Sequence, residues 1–300
     1  MLKITKANEA IEVKAITMCV YAVPGVGKTS LSFTAKRPLL LDFDRGSYRA
    51  RNRGDVVEVG SWGDVAGMAE ADFASYDTVI IDTAGRALDM LSADIMKGDP
   101  KAGRAGSLTL QGYGALKGRF LGFTSLLRSL GKDVIYVCHS AEERKGDELI
   151  ERLDAQGSSK GEIYKSADVM GRVYLSGGQR ILNFSPTDTA FGKNTAGLPP
   201  LTIPDFGVEP QFLAGVIATI KESINKQSAE SIQVAATLAS VGEQIGKAET
   251  LTDFDAMLVV CKDAPEAVRT NAKRLLLKAA KTKGFEFNKT TAAFDLAATP

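Results

Sequence analysis

A chain of 300 residues with 44% hydrophobic and 24% charged residues has ordinary globular usage, which excludes disorder and fibrous repeats. Its length suits one large core with an appendage, or two modest domains. Lys and Arg number 37 against 36 Asp and Glu, so neither a globally basic nucleic-acid binder nor an acidic tail protein is indicated.

The opening segment, MLKITKANEAIEVK, carries charges throughout and lacks the apolar middle of a signal peptide. Ile16–Tyr21 is the first β-like run, and YAVPGVGKTS at 21–30 follows it directly. Gly25 and Gly27 let backbone N–H groups turn inward around an anion, with a helical pattern at Ser30–Lys36 behind them. In that strand–loop–helix context, Pro24, Gly25, Val26, Gly27, Lys28, Thr29 and Ser30 form a phosphate-binding loop. Lys28 reaches the β- and γ-phosphates, and the Thr29 hydroxyl binds Mg²⁺. Ala22 stands where such loops usually begin with glycine.

Pro38–Leu41 is the second strand, followed by Asp42 and Asp44 and then by Arg45, Arg49, Arg51 and Arg53. The two acids are either site residues or turn formers paired with Arg45 or Arg49. The arginines line an interface, approach phosphates or are simply exposed. Thr78–Ile81 ends in Asp82, which places a carboxylate at the C-terminal edge of the sheet, where α/β proteins bind ligands. Asp82 therefore holds Mg²⁺ through water, as a Walker B acid does. A bound nucleoside triphosphate and Mg²⁺ follow as cofactors.

The stretch 97–119 is glycine-bearing and locally basic, with Lys97, Lys101, Arg104, Lys117 and Arg119 against Asp99 alone. Its first part is expected to be mobile, and it suits a phosphate backbone if it is not merely solvated. Tyr113 either stacks on a base or packs locally. Leu116, Phe120, Phe123, Leu127 and Leu130 mark one buried helix face. Asp133–Cys138 is the next strand, with His139, the chain's one histidine, at its end. From 142 to 165 acids outnumber bases, and only Gly157–Lys165, with Lys160 and Lys165, suits a phosphate backbone. Arg172–Leu175 and Arg180–Phe184 read as a hairpin around Ser176-Gly177-Gly178-Gln179.

Four prolines in LPPLTIPDFGVEP mark a strap or linker, after which helical patterns run roughly over 210–226, 228–247, 251–262 and 265–283. The expected division is a core over 1–205 and a helical extension over 206–300. The last helix carries Arg274, Lys278 and Lys281 on one face, a solvated face by default. Cys19, Cys138 and Cys261 lie too far apart in the chain for a disulfide framework, and no Cys/His zinc site is expected. Phe212–Ile220, the longest clean apolar run, is too short to span a bilayer. A soluble protein of the cytoplasm, with no membrane partner, is the resulting expectation.

DTAGR at 82–86 is similar to a motif of signal-recognition-particle GTPases, but the Asn/Thr-Lys-x-Asp element that reads guanine is missing, which favours adenine. PLLLDFDRGSYRA at 38–50 instead resembles the strand-plus-acid element of RecA-type ATPases, with Asp44 on the position that activates water. Glutamate is the commoner occupant there. VIYVCHS at 134–140 resembles the strand whose terminal polar residue senses the γ-phosphate, and His139 stands at that point unless local backbone satisfies it. GSSKGEIYKSADVMGRV at 157–173 resembles the second DNA-binding loop, and 97–119 lies where the first is found. FGKN at 191–194 resembles the turn that reaches a neighbour's ATP, which makes Lys193 a trans-acting candidate and Arg180 the fallback. Thr195 replaces a second lysine.

Together these features resemble compact, phage-encoded RecA-like ATPases that act in single-strand annealing or recombination. The resemblance implies an α/β fold, a RecA-like P-loop NTPase core with a mostly parallel sheet covered by helices and a small helical C-terminal extension. It implies an ATPase in which Lys28, Asp44, His139 and Lys193 carry the chemistry. It also implies single-stranded DNA bound through Lys97, Lys101, Arg104, Lys160 and Lys165. The implied partners are further copies in a ring or filament with ATP at the subunit interface, and a single-stranded-DNA-binding protein. The implied place is the cytoplasm of a bacterial host. A P-loop kinase, a signal-recognition-particle-like GTPase, a helicase loader and a non-hydrolysing ATP-gated scaffold stay open as alternatives.

Overall fold

In the computed structural model, which describes residues 4–6, 8–146, 148–154 and 160–297, the chain divides into two compact units. One spans 13–224, and the other joins 1–12 with 225–300. The first unit runs β1 (Thr17–Ala22), α1 (Lys28–Ser32), β2 (Pro38–Asp42), β3 (Asp55–Glu58), α2 (Trp62–Ala66) and β4 (Thr78–Asp82). It continues through α3 (Ala84–Gly98), β5 (Gly103–Arg104), β6 (Ser107–Leu108), α4 (Leu110–Ser129), β7 (Asp133–Lys145), β8 (Glu148–Leu153) and α5 (Lys160–Ser166). The strands β9 (Val169–Ser176), β10 (Gln179–Asn183) and β11 (Leu201–Ile203) lead into α6 (Phe212–Gly246), which belongs to the other unit from Asn225 onward.

The main sheet has nine strands in the order β11-β10-β9-β1-β7-β4-β2-β3, with β8 paired to the far end of β7. From β9 to β3 the neighbours run parallel, while β10 and β11 are antiparallel additions. The central strands are apolar throughout because both faces are covered. Successive side chains alternate between two layers. Cys19, Tyr21, Leu41, Ile81 and Tyr136 pack with Leu91 of α3 and Phe120 of α4. Met18, Val20, Leu40, Ile80 and Ile135 pack with Leu31 of α1 and with Leu213 and Ile217 of α6.

Several elements differ from the sequence expectation. The helix expected over Ser30–Lys36 starts at Lys28 and ends at Ser32, with Phe33 as its C-cap. The glycine-bearing stretch 97–119 is made of regular elements rather than one open loop: α3 runs to Gly98, a tight turn covers Pro100–Ala102, and the β5–β6 hairpin leads into α4. Gly112 explains the tight fit, since a Cβ there would collide with the Ala102 carbonyl. The acid-rich part of the second loop is the β7–β8 hairpin, in which Ser140 to Lys145 pair with Glu148 to Leu153. Residues 155–159 of the same expected loop lie outside the described residues. The hairpin at Ser176–Gln179 is present, with Gly177 and Gly178 at φ 57° and 78°.

The division of the chain falls later than the proline-rich strap, because Leu213, Val216, Ile217 and Ile220 of α6 cover one face of the sheet. The helices expected at 210–226 and 228–247 are one helix, since neither glycine nor proline interrupts Ile224–Ser231.

The second unit contains the end of α6, α7 (Leu251–Asp263), α8 (Glu266–Thr282), and a hairpin of β12 (Phe285–Asn288) with β13 (Ala293–Leu296) that the helical reading did not include. Its own core gathers Ile245, Phe254, Leu258, Val268, Leu276 and Phe294. Among the described residues no helix is long and apolar enough to cross a membrane.

Candidate nucleotide-binding site

Parallel register brings the ends of β1, β4 and β2 level with His139 in the middle of β7. Ala22 of β1 pairs with His139 of β7, Asp82 of β4 with Val137 of β7, and Asp42 of β2 with Asp82. Because β7 lies between β1 and β4, His139 stands between the glycine loop and the acids. A cleft of about 410 Å³ opens there. Pro24, Gly25, Gly27, Lys28, Thr29 and Ser30 form one side, with Asp42, Asp44, Asp82 and His139 around it. Val26, the remaining loop residue, packs its side chain on the apolar layer beneath.

Gly25 and Gly27 adopt φ of 84° and 93°, conformations that ordinary side chains resist, so the loop requires glycine at both positions. A Cβ on Gly27 would also lie 2.9 Å from the Arg180 guanidinium. Arg180 is tied to the Pro204 carbonyl at 3.2 Å, which places it over the loop of its own chain.

The Lys28 ammonium is buried and donates to the Ala22 and Val23 carbonyls, both at 3.0 Å. It also lies 3.2 Å from Nδ1 of His139. Burial lowers its pKa, opposed chiefly by the nearby Asp82 carboxylate. Thr29 Oγ1 donates to Asp82 Oδ2 at 2.6 Å, so the two residues expected to hold Mg²⁺ are in direct contact. Burial raises the Asp82 carboxyl, with Asp42 and Asp44 adding repulsion and the Thr29 hydroxyl opposing it.

The two acids after β2 have separated tasks. Asp42 is buried, and its carboxylate accepts from the Gly46 amide at 3.1 Å and the Ser47 amide at 2.9 Å, the turn-forming role. Asp44 faces the site, 3.4 Å from Nε2 of His139 and 3.5 Å from Nε of Arg86. His139 is thus joined to site side chains on both ring nitrogens. An ammonium can only donate, so Nδ1 accepts from Lys28 and Nε2–H points to Asp44. Arg86 was not singled out from sequence; the signal was a cation one turn into the helix that follows Asp82.

Lys193 is outside this cleft, and its ammonium donates to the Ala167 carbonyl of its own chain at 2.6 Å. Of the expected DNA contacts, Lys97, Lys101 and Arg104 are exposed around the end of α3 and the β5–β6 hairpin. Lys165 lies 3.7 Å from Glu162, and Lys160 opens α5. Lys117 and Arg119 pair with Glu162 and Asp94.

A P-loop, a strand-end acid contacting its Thr, and a parallel sheet with helices on both faces make this an α/β P-loop NTPase fold. A solved structure described as an ATPase domain aligns at 10% identity with a TM-score of 0.35, over 63% of this chain and 80% of that one. No curated protein matches the chain. The family model described as an AAA domain matches residues 14–196, which is more than half of the sequence and takes in the loop, Asp44, Asp82 and His139. The chain belongs to the AAA domain family.

Proposed function

We propose that this protein binds and hydrolyses Mg-ATP and uses the nucleotide to regulate single-stranded DNA binding, promoting annealing or strand exchange in phage recombination. The observation that carries the reading is the convergence of Lys28, Thr29, Asp82, Asp44 and His139 on one cleft. The donor set fits the group: two left-handed glycines leave amides free to face an anion, and a hydroxyl meets a carboxylate as a hard cation requires. Bound Mg-ATP would supply a strained phosphoanhydride with its charge partly neutralised.

The residues of the chain do the rest. Lys28 exchanges its two carbonyl partners for phosphate oxygens. Asp44 takes a proton from the attacking water. The Nε2–H of His139 holds the Asp44 carboxylate in place, and Nδ1 reports whether Lys28 has moved. His139 thereby links the occupancy of the loop to the position of the acid.

The DNA part rests on Lys97, Lys101, Arg104, Lys160 and Lys165, local cations on a chain of net charge +1. Binding through so few cations is weak per copy and gains strength by assembly, so we place ATP between copies in a ring or filament. Lys193 would then have to leave the Ala167 carbonyl to reach a neighbour. A second reading, a kinase, is favoured by a groove of about 330 Å³ that opens beside Asp44 and His139, where Arg86, Asp89 and Asp154 could hold an acceptor.

One assay separates these readings: ATP hydrolysis with and without single-stranded DNA, with Lys28→Ala alongside. Stimulation by DNA, abolished in Lys28→Ala, is expected. Equal rates with and without DNA, with no DNA retention, would overturn the DNA function, and phosphate transfer to a small acceptor would establish the second reading.

A further inference from the structure

We propose that Arg49 is a phosphate-binding residue of the same cleft, closing on the terminal phosphate of a nucleoside triphosphate held by the loop of its own chain. The inference rests on the nucleotide reading above and adds a contact that it does not include. Gly46, Arg49 and Ala50 line the cleft together with Asp44 and with the loop residues Gly25, Gly27, Lys28, Thr29 and Ser30.

The turn that presents Arg49 is fixed from below. Residues Ser47–Arg49 form a single tight turn, and both oxygens of the buried Asp42 carboxylate accept from the amides that start it. The Arg49 guanidinium rests over Gly46, where a Cβ would stand in its way. Beyond Arg49 the exposed Tyr48 ring lies 5.4 Å from the guanidinium carbon. The backbone is thus anchored while the side chain is exposed at the mouth of the cleft.

Charge supplies the reason. Among the described residues, the cleft lining holds three carboxylates, Asp42, Asp44 and Asp82, and two cations, Lys28 and Arg49. Each carboxylate is already engaged: Asp42 by amides, Asp44 by His139 and Arg86, and Asp82 by Thr29. Arg49 therefore does not serve as their counter-ion. A triphosphate brings more negative charge than one lysine neutralises, and a planar guanidinium offers two parallel donors to a phosphate. With Lys193 held on its own Ala167, the cleft gains its second cation from within the chain.

The test is nucleotide affinity by calorimetry for wild type, Arg49→Ala, Arg49→Lys and Lys28→Ala, each with ATP, ADP and AMP at concentrations where the protein is monomeric. Arg49→Ala is expected to weaken ATP roughly 10–100-fold while changing ADP and AMP by less than about threefold, the size of one lost charged hydrogen-bond contact. Arg49→Lys should recover part of the loss, and Arg49 being exposed, both variants should melt with the wild type. ATP bound as tightly by Arg49→Ala as by wild type would overturn the proposal. So would an equal loss for ADP and AMP, or a loss seen only when copies associate. If Lys28→Ala also binds ATP normally, the nucleotide reading itself fails, which is a different result from failure of Arg49 alone.

Discussion

Asp82 and Lys28 are both pulled away from the solvent that favours their charges, and the direction of each shift says what their burial costs. Burial is the largest cause for both: it raises the carboxyl and lowers the ammonium. A raised Asp82 pKa stabilises the fold most below the unfolded carboxyl pKa, and that contribution is lost as pH rises through the folded value. At neutral pH the charged Asp82 therefore opposes folding, even with Lys28 and Thr29 beside it. Asp82→Asn is expected to raise the melting temperature of the protein without added nucleotide at pH 7 by about 2–4 °C, equivalent to ~1 kcal/mol. The gain should shrink as the pH is lowered and Asp82 itself becomes protonated. The same variant should lose the additional stabilisation that Mg²⁺ gives with ATP. Thermal melts over a pH series check all three, and a variant that melts below wild type at pH 7 would contradict the sign. Of these residues, Lys28, Thr29 and Asp82 were legible in the sequence because each belongs to a short contiguous motif. Asp42 and Asp44 were not separable there, since only the turn shows that Asp42 commits its carboxylate to Gly46 and Ser47.

Among the elements, the central strands were legible because burial on both faces leaves them apolar without interruption. The short strand β3 was not, since its half-exposed DVVE carries no such run. The β12–β13 hairpin was missed because FEFN and AFDL are only four residues each, and Phe285 and Phe294 gain meaning only beside Phe254. One buried charge shows how elements are held together. Asp133 opens β7, its Oδ1 accepts from the Ile16 amide at 2.9 Å, and its Oδ2 lies 2.7 Å from the Lys221 ammonium on α6. Burial raises the carboxyl, and Lys221 opposes that rise. Asp133→Ala removes one partner of this pair and leaves Lys221 and the Ile16 amide unsatisfied, at a cost of about 2–4 kcal/mol. Urea unfolding should show this as a lower midpoint. Asp133→Asn, which can still accept from Ile16, should lose less, and equal losses in both variants would place the cost elsewhere.

At the level of the whole molecule, the two units have separate apolar cores, and the nucleotide cleft is built entirely from residues within 13–224. A chain restricted to 13–224 is accordingly expected to fold and to bind ATP within about threefold of the full-length affinity, as an independent domain does. Calorimetry on the two chains decides it, and a loss of binding in the shorter one would show that the site draws on the second unit. The sequence alone determined the chemistry of the loop, since glycines, lysine and threonine act together over ten adjacent residues. It also determined the near-balance of charge, which confines any DNA contact to a few local cations. Only the tertiary structure decided that β7 lies between β1 and β4, so that His139 joins Lys28 to Asp44. It likewise decided that Arg49 lines the cleft of its own chain and that Arg180 lies against Gly27 of the same loop, while Lys193 does not reach the cleft. Such side chains meet through strand order and parallel register, and those are set by the packing of the whole sheet rather than by any local run of residues.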